Sequence, residues 1–183
     1  MPITITSLLP TAGPTAGSLI VVRGTNFINS LQLHCSVGTS MQLVATWTST
    51  TEIRCQAPAQ APGSVAVEVT NNNQDYSSEG VMYTYQANAA VTSVSNSHGP
   101  VTGGTLITVT GSNFVNSPQL RCRFYLDILP GTWLTASTVL CQTVAHAREA
   151  VSVEVSNNDQ DYTASGAVFY TFDCTFIIQT LCM

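Results

Sequence analysis

Lysine is absent from this chain, and charge of either sign is scarce. Of 183 residues, five are Arg and ten are Asp or Glu, so charged residues make up 8% of the sequence. Soluble domains usually carry about a quarter. Nucleic-acid binders neutralise phosphates with clustered Lys and Arg. Five scattered Arg at a net charge of −5 exclude that role and docking on acidic membranes. No apolar run reaches the roughly 20 residues that span a bilayer, so membrane insertion is not expected. No secretory apolar segment opens the chain, and Met1-Pro2-Ile3-Thr4 reads directly into a strand. The sequence is then the mature part of a longer precursor, or export uses a signal outside it.

Catalytic and metal-binding patterns are missing too. His34, His98 and His146 are far apart, and there is no H-x-H, H-E-x-x-H, C-x-x-C or G-x-S-x-G. No glycine-rich loop leads into a helical segment. The expectation is a protein that is not an enzyme and uses no cofactor and no metal. N-x-S/T acceptors are absent as well, which leaves only O-linked sugars on the Thr- and Ser-rich stretches around 46–51 and 132–138. Ser, Thr, Asn and Gln take the place of charge. A surface of that kind resists association poorly through repulsion and suits an immobile, assembled or glycan-coated protein.

What is present is a duplication. LIVVRGTNF at 19–27 returns as LITVTGSNF at 106–114. Cys35 and Cys55 return as Cys122 and Cys141, and Val67-Glu68-Val69 as Val153-Glu154-Val155. Asn71-Asn72-Asn73-Gln74-Asp75-Tyr76 returns as Asn157-Asn158-Asp159-Gln160-Asp161-Tyr162. The offset stays at 86 or 87 throughout. Within each copy apolar and polar residues alternate, as in Val151, Val153 and Val155 against Ser152 and Glu154. That is the period of a strand with one buried face. Turn residues recur at Gly13-Pro14, Gly24, Pro62-Gly63, Asn71 to Asn73 and Gly80, and no stretch has a helical period. The expected fold class is all-β, two tandem immunoglobulin-like β-sandwiches. The Asn-rich segment reads as a hairpin loop, since Asn tolerates left-handed backbone. A calcium loop is the alternative, but it needs more carboxylates than the one or two here.

The residues GTNF at 24–27 and GSNF at 111–114 resemble the IPT/TIG domain, an immunoglobulin-like module of plexins, transcription factors and cell-surface proteins. Short opening strands at Ile5 and Val91, a Gly-Pro turn, the V-x-V and Asn-Asn segment and closing aromatics (Tyr83 and Tyr85, Phe169 and Tyr170) follow the same order. The resemblance covers about 1–86 and 88–172. It implies a fold of roughly seven strands and no chemistry. Domain 1 is placed at 1–87, domain 2 at 88–172 and a C-terminal strand at 173–183.

Cys35 with Cys55, and Cys122 with Cys141, recur at one structural site and read as one disulfide per domain. Zinc, which wants clustered ligands, and free thiols are the alternatives. Disulfides point to an extracellular or cell-surface location. Trp47 and Trp133 lie between the paired cysteines. They read as core packing or as platforms for glycan rings.

Residues 173–183 have no counterpart in domain 1. They are β-branched, aromatic and almost uncharged, a hazard if left as a bare strand. Three readings compete. The segment adds as a strand to the next molecule, folds back on its own, or opens a further domain. On the first, Cys174, Phe176, Ile177, Ile178, Leu181 and Cys182 form a subunit interface, and the partner is the chain itself, joined head to tail in a helical extracellular filament. Cys174 and Cys182 can pair only if the segment is a hairpin. Otherwise each is a buried thiol or bonds to a neighbouring chain. The alternative function is a receptor or adhesin module that binds a protein or a glycan.

Overall fold

A computed structural model of the chain describes residues 2–164 and 166–174. They fall into two compact units, Met1–Ala87 and Asn88–Met183, each with its own core. Among the described residues there are strands, turns and bends and no helix.

The first unit has eight strands: β1 (Thr4–Leu9), β2 (Ala12–Pro14), β3 (Ser18–Thr25), β4 (His34–Val37), β5 (Ser40–Ser49), β6 (Glu52–Ala57), β7 (Gly63–Thr70) and β8 (Met82–Gln86). They pair in the order β1-β3-β6-β5-β4-β7-β8-β2. The long β5 makes this one continuous ribbon. Its first residues pair with β4 and its later ones with β6, so it passes from one layer of the sandwich to the other. Alternation puts Ile20 and Val22 of β3, Ile53 and Cys55 of β6, and Tyr83 and Tyr85 of β8 between the layers, all essentially without exposure.

The second unit has nine: β9 (Ala90–Val94), β10 (His98–Pro100), β11 (Leu106–Ser112), β12 (Arg121–Phe124), β13 (Asp127–Pro130), β14 (Thr132–Thr135), β15 (Thr138–Gln142), β16 (Ala150–Ser156) and β17 (Phe169–Asp173). Here the long strand is broken. β13 closes the sheet β10-β17-β16-β12-β13, and β14 closes the sheet β14-β15-β11-β9. The break falls at Pro130-Gly131. Proline brings no N–H to a ladder and sits at strand ends or edges. A Cβ on Gly131 would come within 3.2 Å of Leu120, Val139 and the Cys122 sulfur, so the backbone is pressed into the core there. β17 runs through Asp173, the counterpart of Gln86, so the residues without a counterpart begin at Cys174. The tail residues Phe176, Ile177, Ile178, Leu181 and Cys182 lie outside the described residues. Cys174 is itself disulfide-bonded, so the free-thiol alternative does not apply to it.

Candidate interaction surface

The repeated motif residues turn out to build the frame. Gly24 lets β3 approach β1, because a Cβ there would run into the Thr4 carbonyl oxygen and the Phe27 ring. Gly111 stands in the same relation to Ala90 and Phe114. Asn26 and Asn113 adopt left-handed φ of 62° and 58°, which Asn tolerates better than most residues. Their amides donate to the carbonyls of Pro2 and Asn88 at 2.6 and 2.8 Å. Phe27 and Phe114 then drop into the cores. The first Asn of each later motif clamps this turn. Asn71 accepts from Ile28 N and donates to Asn26 O, and Asn157 accepts from Val115 N and donates to Asn113 O.

The second Asn closes its own bend. Asn72 accepts from the backbone N–H of Gln74 and Asp75, and its amide donates to the Asp75 carboxylate at 2.7 Å. Asn158 repeats this on Asp161 at 2.8 Å. The carboxylates of Asp75 and Asp161 are therefore held by side-chain amides, and that of Asp159 by the Tyr162 hydroxyl and Arg121. Among the described residues no group of three or more His, Cys, Asp and Glu could hold a metal ion.

Cys35 is bonded to Cys55 and Cys122 to Cys141, with Cα atoms 6.3 and 6.0 Å apart. All four are fully buried. Trp47 and Trp133 are half-buried against the cores, and their indole N–H groups donate to the carbonyls of Phe27 and Phe114.

The surface features that sequence reading missed lie in the second unit, at the β12–β13 hairpin. Its ladder is regular, from Arg121↔Pro130 to Phe124↔Asp127. β13 pairs with no further strand, so its outer edge is open among the described residues. At the tip, Tyr125 has φ of 56° and is 58% exposed, and Leu126 is 76% exposed. A bulky ring in left-handed backbone is an outlier worth about 1–2 kcal/mol of strain. Ile128 and, across the sheet, Phe169 are half exposed. Between them Arg123 donates through Nε to Glu154 at 2.7 Å and stacks 4.1 Å over the Tyr162 ring. This face is therefore apolar and aromatic around one compensated ion pair.

Beside it a cleft of about 630 Å³ opens where β13 and β14 part to join different sheets. Leu129 and Pro130 line it from β13, Leu140 and Leu106 from β15 and β11, and Val144 from the next loop. No charged residue lines it. The signal was present in the repeat. Tyr125 stands where the first copy has Gly38, and Leu140 where it has Arg54.

These features define a pair of disulfide-closed, immunoglobulin-like β-sandwiches. The family to which the chain belongs is that of the IPT/TIG domain, whose model matches twice, at residues 2–85 and 89–172. Among solved structures, two of the Plexin A4 extracellular region are similar to it, each at 19% identity and each covering 94% of this chain. Their TM-scores are 0.58 and 0.53. The matched part is only 16% and 18% of those plexin chains, so the likeness is one of fold over a short stretch of much longer proteins.

Proposed function

We propose that this chain is a non-catalytic structural module of an extracellular assembly, joined head to tail by donation of residues 174–183 to a neighbouring copy. The observation that carries this reading is the surplus itself. Both sandwiches close with an equivalent last strand, β8 or β17, and the uncharged segment after Asp173 has no counterpart in the first copy of the repeat. A chain with 8% charged residues opposes self-association only weakly. Two buried disulfides fit an oxidising, extracellular setting. No helix among the described residues is long and apolar enough to cross a membrane. A tail-to-groove contact is heterologous, and its repetition builds a filament unless the rotation closes a ring. Electron microscopy and sedimentation of the whole chain and of a chain ending at Asp173 test the reading. Filaments from the first and monomers from the second are expected. Monomers from both, or filaments from both, end it.

A second reading has its own support. IPT/TIG membership and the fold shared with a plexin extracellular region favour a receptor or adhesin module. On that reading the exposed face around Tyr125 and Phe169 binds a partner protein or glycan, and the truncated chain binds it as well as the whole one.

A further inference from the structure

We infer that the outer sheet face of the first domain, around Glu68 and Tyr76, is a binding site for a guanidinium group, and that Arg148 of a second copy supplies it. The inference rests on the head-to-tail reading above and adds a contact that does not use the tail.

In the second domain the arginines at this face belong to the domain itself. Register puts Arg121, Ser156 and Tyr162 in one row across the sheet and Arg123 beside Glu154 in the next. Arg121 Nε lies 3.4 Å from the Asp159 carboxylate. Arg123 donates to Glu154 and stacks on Tyr162, whose hydroxyl donates to Asp159. In the first domain the same rows hold His34, Thr70 and Tyr76, with Ser36 beside Glu68. Asn73 takes the place of Asp159, with φ of 60° against 61°. The carboxylate and the ring are kept, and both arginines are gone.

The exchange leaves polar groups unmet. His34 Nδ1, Asn73 Oδ1 and the Tyr76 hydroxyl oxygen are buried and have no hydrogen-bond partner among the described residues. Buried polar atoms in folded proteins are nearly always paired, so three orphans at one face point to a partner from outside. Glu68 is half-buried and also has no partner among the described residues. Every other Asp and Glu has a hydrogen-bonding or electrostatic one.

The chemistry of the set names the ligand. A carboxylate and an amide oxygen only accept, and a phenol and the bare nitrogen of a neutral imidazole accept as well. What meets them is positive and donates at several points. Guanidinium carries five N–H donors in one plane and stacks on aromatic faces, as Arg123 does 4.1 Å over the Tyr162 ring. The domain has no room for an arginine of its own at Ser36, which is 3% exposed. Glu68 and Tyr76 reach the surface, so the group comes from another chain.

Charge selects the donor. The chain has no Lys, and of its five Arg three are paired, Arg23 with Glu52, Arg121 with Asp159 and Arg123 with Glu154. Arg54 and Arg148 are exposed and have no such partner among the described residues. Arg54 sits inside a sheet, between Val21 and Thr46. Arg148 stands on the loop between β15 and β16, outside any strand, where the first copy has Pro62. Donor and acceptor then lie in different domains. A contact between Arg148 of one copy and Glu68 of the next is heterologous, the kind that repeats from copy to copy.

Two measurements on the whole chain test this. Below the assembly concentration, N-acetyl-arginine amide is expected to shift the Tyr76 and His34 ring signals in NMR spectra saturably, with a Kd in the millimolar range. Glu68→Gln is expected to weaken that binding about 10-fold. In sedimentation, Glu68→Gln and Arg148→Gln are each expected to weaken association about 10-fold, and together no more than either alone. An equal mixture of the two single variants is expected to regain the parent strength in its first pairwise step, because Arg148 of one meets Glu68 of the other. Arg54→Gln is expected to change nothing. If the probe shifts nothing, or shifts parent and Glu68→Gln alike, Glu68 is a solvated carboxylate only and the inference falls. If the probe binds but Arg148→Gln associates like the parent, or the mixture stays as weak as its components, the second copy does not supply the group. The inference then falls while the head-to-tail reading stands. If the whole chain never associates, that reading fails first and takes the donor with it, even with the probe bound.

Discussion

The two sandwiches agree inside and differ along one side. Ile20 and Val22 match Ile107 and Val109, Cys35 and Cys55 match Cys122 and Cys141, and Phe27 matches Phe114, all buried. The closing core position changes with compensation. Tyr85 donates its hydroxyl to Pro58 O at 2.9 Å. Its counterpart Phe172 has no hydroxyl, and His146, standing where the first unit has Gln60, stacks on it at 4.8 Å. The other changes gather at β12, the β12–β13 turn, β15 and β17. There Ser36, Gly38, Arg54 and Met82 of the first copy become Arg123, Tyr125, Leu140 and Phe169 of the second. A duplicated fold is held by what both copies keep. At Tyr125 the second copy accepts left-handed backbone under an exposed ring, a choice that packing inside the sandwich does not explain.

The largest effect expected from breaking this comparison is symmetrical. Replacing Cys35 and Cys55 by Ser, or Cys122 and Cys141 by Ser, opens loops of 20 and 19 residues. Each change is expected to cost its own domain about 3 kcal/mol, read by denaturant unfolding of the whole chain under non-reducing conditions. A loss confined to one domain would show that the two interiors are not equivalent after all.

An asymmetrical effect comes next. Arg123→Ser installs the first domain's residue and removes both the Glu154 ion pair and the stacking on Tyr162. With the Glu154 side chain only 12% exposed, about 2 kcal/mol of stability is expected to go from the second domain alone. Ser36→Arg in the first domain, at a buried position, is expected to destabilise rather than to recreate the pair.

How far all this could be read from the sequence follows from what each residue answers to. The all-β fold and its two copies were legible because alternation and the G-x-N-F turns answer to local geometry. Gly24 and Gly111 are required by the close approach of one backbone, and that requirement recurs. The break of the long strand into β13 and β14 was not legible. It depends on where Pro130-Gly131 falls against the disulfide, a matter of tertiary packing. The repeat puts one Trp between each pair of cysteines, but nothing in the sequence tells that each indole N–H is given to the turn carbonyl of Phe27 or Phe114. Tyr125 was overlooked because strand patterning treats a hairpin tip as punctuation. Its information lay in the contrast with Gly38, which appears only when the copies are aligned residue by residue. The role assigned to 173–183 came from the repeat, which leaves the segment without a counterpart, and from composition, and those residues apart from Asp173 and Cys174 lie outside what the structure describes.

A smaller effect, of opposite sign, tests the strain. Tyr125→Gly restores the residue that the first domain carries at φ of 61°. It is expected to stabilise the second domain by about 1 kcal/mol, since glycine takes left-handed backbone without steric cost. Gly38→Tyr is expected to do the reverse. If the strained tyrosine serves an interface, the stabilised variant should also associate or bind less well. A gain in both stability and association would mean that Tyr125 is an accident of drift.

The smallest effect is electrostatic and appears only at alkaline pH. The Tyr162 phenol is pushed up to about 12, first by burial and then by its hydrogen bond to Asp159 at 3.1 Å, with Arg123 and Arg121 pulling the other way. In the first domain the tyrosine moved upward is a different one, Tyr85, by burial alone. Below pH about 10 both the folded and the unfolded chain hold the Tyr162 proton, so the contribution of this group is fully present. Between about 10 and 12 the unfolded chain gives up its proton first, and the stability of the second domain falls as pH rises. Tyr162→Phe is expected to remove that slope from the second domain while leaving the one due to Tyr85 in the first. Phenolate absorbance at rising pH, followed alongside unfolding of parent and variant, makes the check. A parent and a variant with the same pH dependence would place the Tyr162 hydroxyl in ordinary solvent and dissolve this last difference between the two domains.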